Sequence, residues 1–357
     1  MKHVLICTSN GGNGLVSASE AIKYAIETRH RDYAVSIVDI PTDAKLFSRY
    51  IVNDLYNYLL RKDVAIAALG VNMSSLAKYD KWSHYLDDTD SIKRTILAWK
   101  PDIIIVTSPW VLGSVARAMD GERALVYSVV IDLGTKLPLG WICNDVKACI
   151  ASTDDARKYL IENGMKTDLV SVGGIVVHPK YIDSCSEGYQ TGNVLVLASR
   201  QGSGNTYEIV KALLPDKGIK RVNVLCGNNA TLRSRIADIG DDRVRAYGYV
   251  DDLLPFYTAS QAVVSKCGAM TFAECIAMCR PLVVDATHGI MQQEKGNTDI
   301  LERLGTGVLA YTKESLLSEL SRLLADKGHY DAMTKKCKDA KVMLDPYGIA
   351  EMMVKRG

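Results

Sequence analysis

Residues 247–297 decide how this chain reads. They begin Tyr247-Gly248-Tyr249-Val250-Asp251-Asp252-Leu253 and continue Ala262-Val263-Val264-Ser265-Lys266-Cys267-Gly268-Ala269-Met270-Thr271-Phe272-Ala273-Glu274. Pro281-Leu282-Val283-Val284-Asp285 follows, then Gln292-Gln293-Glu294-Lys295-Gly296-Asn297. Residues 262–265 form a short β-branched run that suits a strand buried on both faces of a parallel sheet. Gly268 comes next, and Thr271 with Glu274 three residues on has capping-box spacing for a helix start. A strand, a glycine turn and a helix N-terminus bring free backbone N–H groups and the positive dipole end together. A diphosphate suits such a place.

Outward from this stretch, strands and helices alternate along the whole chain. Residues 3–8 read as a strand, 9–14 as the loop Ser-Asn-Gly-Gly-Asn-Gly, 17–26 as a helix, and 34–40 as a second strand carrying Asp39 near its end. Residues 101–107 and 125–132 are further apolar strands, the second closing on Asp132. A second series begins at residues 194–197, with a loop holding Ser199, Arg200, Gly202 and Gly204, a helix from Thr206, and a strand at 222–226. Such alternation in both halves predicts an α/β protein with two Rossmann-like, parallel-sheet domains facing across a cleft. The polar segment 183–191, with Gly188, is the linker candidate. Domains are therefore expected over 1–182 and 183–345.

The three motifs in the 247–297 stretch, in this order and spacing, resemble the donor-binding half of the GT-B glycosyltransferases of family 28. That family includes the monogalactosyl- and glucosyl-diacylglycerol synthases and the lipid II N-acetylglucosaminyltransferase. The resemblance implies an inverting, metal-independent transfer of a hexose from a UDP-sugar to an acceptor hydroxyl, such as that of diacylglycerol. It also implies that the tail, residues 346–357, is a helix crossing back onto the first domain. Tyr249 and Val250 would offer backbone groups to the uracil. Gly268, Ala269, Met270 and Thr271 would cradle the diphosphate, and Glu274 would accept the ribose hydroxyls. Gln293, Glu294 and Asn297 would orient the sugar. Ser199, Gly202 and Gly204 would approach the diphosphate from its other side, with Arg200 neutralising the leaving group.

On the acceptor side the family loop reads Ser-x-Gly-Asn-Gly-His. Gly12, Asn13 and Gly14 fit it, but Leu15 stands where the histidine belongs. The family's Asp, His and Trp pattern is echoed by Asp132 and Trp141, with Pro138 at the approximate histidine position. Leucine and proline take no proton, so the base falls to a carboxylate, with Asp132 the leading candidate ahead of Asp39 and Asp145. Residues 46–60, with Phe47, Tyr50, Tyr56 and Tyr58, are apolar and helical in period. The resemblance implies that they lie near the acceptor opening and the membrane surface; a helix packed on the core is the alternative.

Composition narrows the field further. A net charge of +2 from 43 basic and 41 acidic residues lacks the bulk positive field of a dedicated nucleic-acid binder. Nine cysteines without a C-x-x-C pair point to reduced, packed thiols and a cytoplasmic protein, and Cys275 and Cys279 read as packing residues. No apolar run reaches the ~18–20 residues of a membrane span, so any membrane contact is peripheral. Asp88-Thr89-Asp90 is formally a D-x-D metal signature, but it reads as a solvated loop; neither a metal nor a bound cofactor is expected, with the UDP-hexose a co-substrate. Three alternatives stay open: a transferase for a soluble small-molecule or carbohydrate acceptor, a nucleotide-sugar-binding subunit without activity, and an NAD enzyme using Gly12, Gly14 and Asp39.

Overall fold

The computed structural model describes residues 1–10, 13–45, 88–184, 188–198 and 205–356. The chain divides into two compact units. One holds the described residues up to Pro179 together with those from Met343 onward, and the other runs from Lys180 to Val342.

In the first unit six strands make one parallel sheet in the order β2-β1-β3-β4-β5-β6. They are β1 (Lys2–Thr8), β2 (Tyr33–Asp39), β3 (Ile103–Val106), β4 (Leu125–Val129), β5 (Ala148–Ala151) and β6 (Val170–Val172). The sequence Ile-Ile-Ile-Val of β3 is wholly buried, as a strand covered by helices on both faces must be. The order reverses at β1 and β3, and ligands of open α/β sheets gather beyond the strands' carboxyl ends at such a reversal. The helix Pro346–Arg356 packs on the helix Asn13–Arg29. The Arg29 guanidinium lies 4.4 Å from the Tyr347 ring centroid, and His30 Nε2 lies 3.0 Å from Glu351 Oε2.

The second unit repeats the plan with the order β12-β11-β10-β7-β8-β9. Its strands are β7 (Asn193–Leu197), β8 (Arg221–Leu225), β9 (Val244–Tyr247), β10 (Ala262–Ser265), β11 (Leu282–Asp285) and β12 (Gly307–Ala310). All pairings are parallel, and the reversal falls at β7 and β10. Valine-rich strands and the buried faces of the flanking helices form its core.

The structure corrects several local expectations. The first helix starts at Asn13 rather than Ser17, which puts Asn13, Gly14 and Leu15 in its first turn. The fourth strand stops at Val129, three residues short of Asp132. Asp88 does not sit in a loose polar loop: it caps the helix Thr89–Leu97, its carboxylate accepting from the Ser91 N–H at 3.1 Å. Cys275 and Cys279 are buried free thiols, as expected of packing residues. Among the described residues no helix is long and apolar enough to cross a membrane.

Candidate functional site

The carboxyl ends of β7, β10 and β11 carry a pocket in the second unit. Val196, Ala198, Thr206, Ser265, Lys266 and Asp285 are among its lining residues. The helix Ala269–Ala277 opens beside it, directly after β10. Its N-cap is Gly268, and among the described residues no side chain caps it. The expected Thr271–Glu274 capping box is therefore not made, because the helix begins two residues before Thr271. The leading N–H groups of Ala269, Met270 and Thr271 consequently have no side-chain cap, the condition under which a helix start favours an anion. A Cβ on Gly268 would meet nothing within 4 Å, so glycine keeps that space open without being demanded by the protein's own packing.

Glu274, on the same helix, is buried beside Tyr257. It is 6% exposed, and its Oε2 accepts from the Tyr257 hydroxyl at 2.8 Å. Burial pushes its carboxyl up to about 7, while the Tyr257 hydrogen bond and the Lys180 charge pull it down. Tyr257 belongs to the helix Leu254–Ala259, and its own phenol is driven far up by burial, so it remains a donor. Sequence reasoning missed Tyr257, since nothing in an apolar turn seventeen residues upstream signals the pairing.

The sugar-side candidates lie on the helix Gln292–Leu304, capped by Met291 without a side-chain hydrogen bond. Gln293 sits in its first turn. Asn297 is 2% exposed; its Nδ2–H donates to the Cys267 carbonyl at 2.8 Å and so ties this helix to the turn before Gly268. Among the described residues its buried Oδ1 has no partner, an unmet acceptor that costs free energy unless a ligand or water answers it. Burial raises the Glu294 carboxyl and lowers the Lys266 ammonium, and each group's charge opposes the other's shift. Asp285 also acts on Lys266. Tyr249 follows β9 and is 46% exposed, with Val250 beside it.

In the first unit Asp132 and Trp141 meet. Trp141 is fully buried in the 3₁₀ turn Leu139–Trp141, and its Nε1–H donates to Asp132 Oδ2 at 2.8 Å. Gly140 lets that turn approach, since a Cβ there would lie 2.3 Å from the Pro109 carbonyl oxygen. The Ser152 hydroxyl donates to the Asp132 carbonyl and the Thr153 hydroxyl to that of Leu133. The carboxylate is thus held at side chain and backbone. Burial pushes Asp132 up to about 6, against the pull of the Trp141 hydrogen bond. Leu15 is buried at 8% exposure, an apolar side chain packed inside. Asp39 accepts from the Thr42 hydroxyl at 2.9 Å, a turn-stabilising role, and Asp145 is exposed. Gly12, Ser199, Arg200, Gly202, Gly204 and the aromatic segment 46–60 lie outside the described residues.

Comparison with known proteins agrees with this arrangement. Residues 16–177 match the monogalactosyldiacylglycerol (MGDG) synthase family, and residues 194–344 match the glycosyltransferase family 28 C-terminal domain. The processive diacylglycerol beta-glucosyltransferase of Bacillus pumilus (strain SAFR-032) is 23% identical over 374 residues, covering 99% of this chain and 95% of that one. Among solved structures, MurG of Acinetobacter baumannii has a TM-score of 0.62 at 14% identity, covering 99% of this chain and all of that one. The UDP-GlcNAc 2-epimerase of Neisseria meningitidis bound to UDP-GlcNAc has a TM-score of 0.59 at 14% identity, covering 100% and 99%. Both share the fold of two Rossmann-like domains.

Proposed function

We propose that this chain, a GT-B glycosyltransferase pairing an MGDG-synthase-type domain with a family 28 C-terminal domain, moves a hexose from UDP to the hydroxyl of diacylglycerol. The observation that carries the reading is the match of residues 16–177 to the MGDG synthase family, on the same chain as an uncapped helix start beside a pocket that Ser265, Lys266 and Asp285 help to line. The second unit binds the donor. Glu274 takes the ribose diol, the first N–H groups of the helix Ala269–Ala277 take the diphosphate, and Asn297 Oδ1 takes a sugar hydroxyl. Tyr249 and Val250 hold the base.

The first unit supplies proton removal. Asp132 Oδ1 accepts the acceptor hydroxyl's proton as the oxygen attacks the anomeric carbon. The bond from that carbon to the diphosphate oxygen breaks, UDP leaves with the electron pair, and the anomeric centre inverts. A carboxylate held near about 6 is well matched to this task at neutral pH, because it is ionised yet still appreciably basic. Backbone N–H groups and Lys266 receive the leaving charge, so no metal ion takes part. The lipid acceptor places the enzyme at a membrane surface as a peripheral protein.

The test is acceptor dependence. UDP release from UDP-glucose or UDP-galactose should rise at least about tenfold when diacylglycerol is added in phospholipid vesicles. Equal release with and without the lipid, alongside turnover of a soluble sugar acceptor, would replace the lipid reading.

A further inference from the structure

One buried polar contact in the second unit involves a residue that the functional reading does not use. Tyr257 is fully buried, as is the core around it, and its hydroxyl reaches Glu274 Oε2 at 2.8 Å. The Tyr181 ring packs edge-on against it, with centroids 5.7 Å apart and planes at 81°. Beneath it, the buried Arg280 Nε–H donates to the Tyr257 carbonyl at 2.9 Å, fixing the helix turn that carries the phenol. Lys180 adds a positive charge felt by Glu274, and itself pairs with Asp252 at 2.8 Å. Glu274 Oε1 has no hydrogen bond among the described residues, so the two carboxylate oxygens are unequal.

We propose that Tyr257 is the positioning residue for Glu274: by occupying Oε2 and fixing the carboxylate plane, it leaves Oε1 as the single acceptor presented to a vicinal diol of the nucleotide. The proposal rests on the reading of Glu274 as the ribose acceptor. Its physical basis is the cost of orientation. An unanchored glutamate loses side-chain freedom on binding, whereas one already held by a buried donor does not. The phenol also favours the charged form of a carboxylate that burial would otherwise neutralise, and a carboxylate accepts from two hydroxyls better than an acid does. Tyr257 touches no ligand atom; its effect passes through Glu274.

Calorimetry with UDP and with 2′,3′-dideoxyuridine diphosphate, which lacks the diol, separates this role from packing. Tyr257→Phe should weaken UDP about three- to tenfold, the range of one lost hydrogen bond, and leave the dideoxy compound within about twofold. Installing 4-aminophenylalanine at position 257 restores a donor and should restore the UDP preference. Undiminished UDP affinity in a folded Tyr257→Phe protein would overturn the proposal, as would an equal loss for both ligands. Should the Phe variant not melt cooperatively, the 4-aminophenylalanine protein decides: keeping the parental ratio of UDP to dideoxy affinity supports the proposal, and losing it overturns the proposal. Glu274→Ala, measured alongside, isolates the underlying reading. Unchanged UDP affinity there removes both claims, whereas a loss there with none in Tyr257→Phe removes Tyr257 alone.

Discussion

The indole of Trp141 donates to Asp132 Oδ2 at 2.8 Å, and this bond joins the only two members of the acceptor-side Asp, His and Trp pattern that the chain retains. Pro138 stands at the approximate place of the third, and Leu15 fills the other histidine position with a buried apolar side chain. Asp132 therefore has a fixed orientation, a carboxyl raised by burial, and one oxygen engaged by tryptophan. The fixed orientation and the raised carboxyl suit the base role proposed for Asp132.

Asp132→Asn keeps the shape and the Trp141 contact but removes basicity. Turnover should fall by about 10²-fold or more, with UDP affinity within about twofold of the parent. Single-turnover rates beside UDP calorimetry measure this. Turnover within a few-fold of the parent would dismiss Asp132 as the base.

Trp141→Phe should change the pH profile. The indole N–H stabilises the ionised carboxylate, so its loss raises the Asp132 pKa above about 6. A base must be deprotonated to act, and the rising acid limb of kcat/KM should therefore move to higher pH. An unmoved limb would show that Trp141 does not hold the catalytic carboxylate.

Glu274 should make stability depend on pH. Its carboxyl lies at about 7 in the folded protein against an ordinary value of 4.5. A raised pKa means the folded state holds the proton more tightly. The resulting stabilisation is full below about 4.5 and lost as pH rises through about 7, and amounts to about 3 kcal/mol. Urea unfolding of the parent and of Glu274→Gln across this window reads the difference. Parallel pH curves for the two proteins would contradict the buried, raised carboxyl.

The strand, glycine and helix at residues 262–277 were legible because their signals are local: a β-branched run, a glycine and an apolar helical stretch. The parallel α/β architecture followed from similar signals repeated along the chain, and the structure and its neighbours bear it out. The cap was not legible. Thr271 has the right spacing, yet the backbone turns helical at Ala269, so Thr271 lies inside the helix and makes no cap with Glu274. Tyr257 was invisible for the opposite reason, because its partner is set by the packing of two helices and not by spacing along either. Asp88 shows the same limit: its polar surroundings read as a solvated loop, while a helix start uses the carboxylate as its cap.

Turnover should survive chelation. The helix start at Gly268 has no side-chain cap, and Lys266 lines the adjoining pocket, so fixed protein groups are in place for the departing diphosphate. Activity in excess EDTA should remain within about twofold of the untreated rate. Complete loss, restored by Mg²⁺ or Mn²⁺, would overturn the metal-independent mechanism.

Isolation of the lipid product tests the central claim most directly. The protein, a UDP-hexose and diacylglycerol in phospholipid vesicles would be incubated together, and the lipid extract resolved by mass spectrometry and proton NMR. The account predicts a hexosyl-diacylglycerol with the anomeric configuration opposite to that of the donor. A retained configuration would contradict inversion. Free hexose or an epimerised UDP-sugar with no lipid product would contradict the transferase assignment itself.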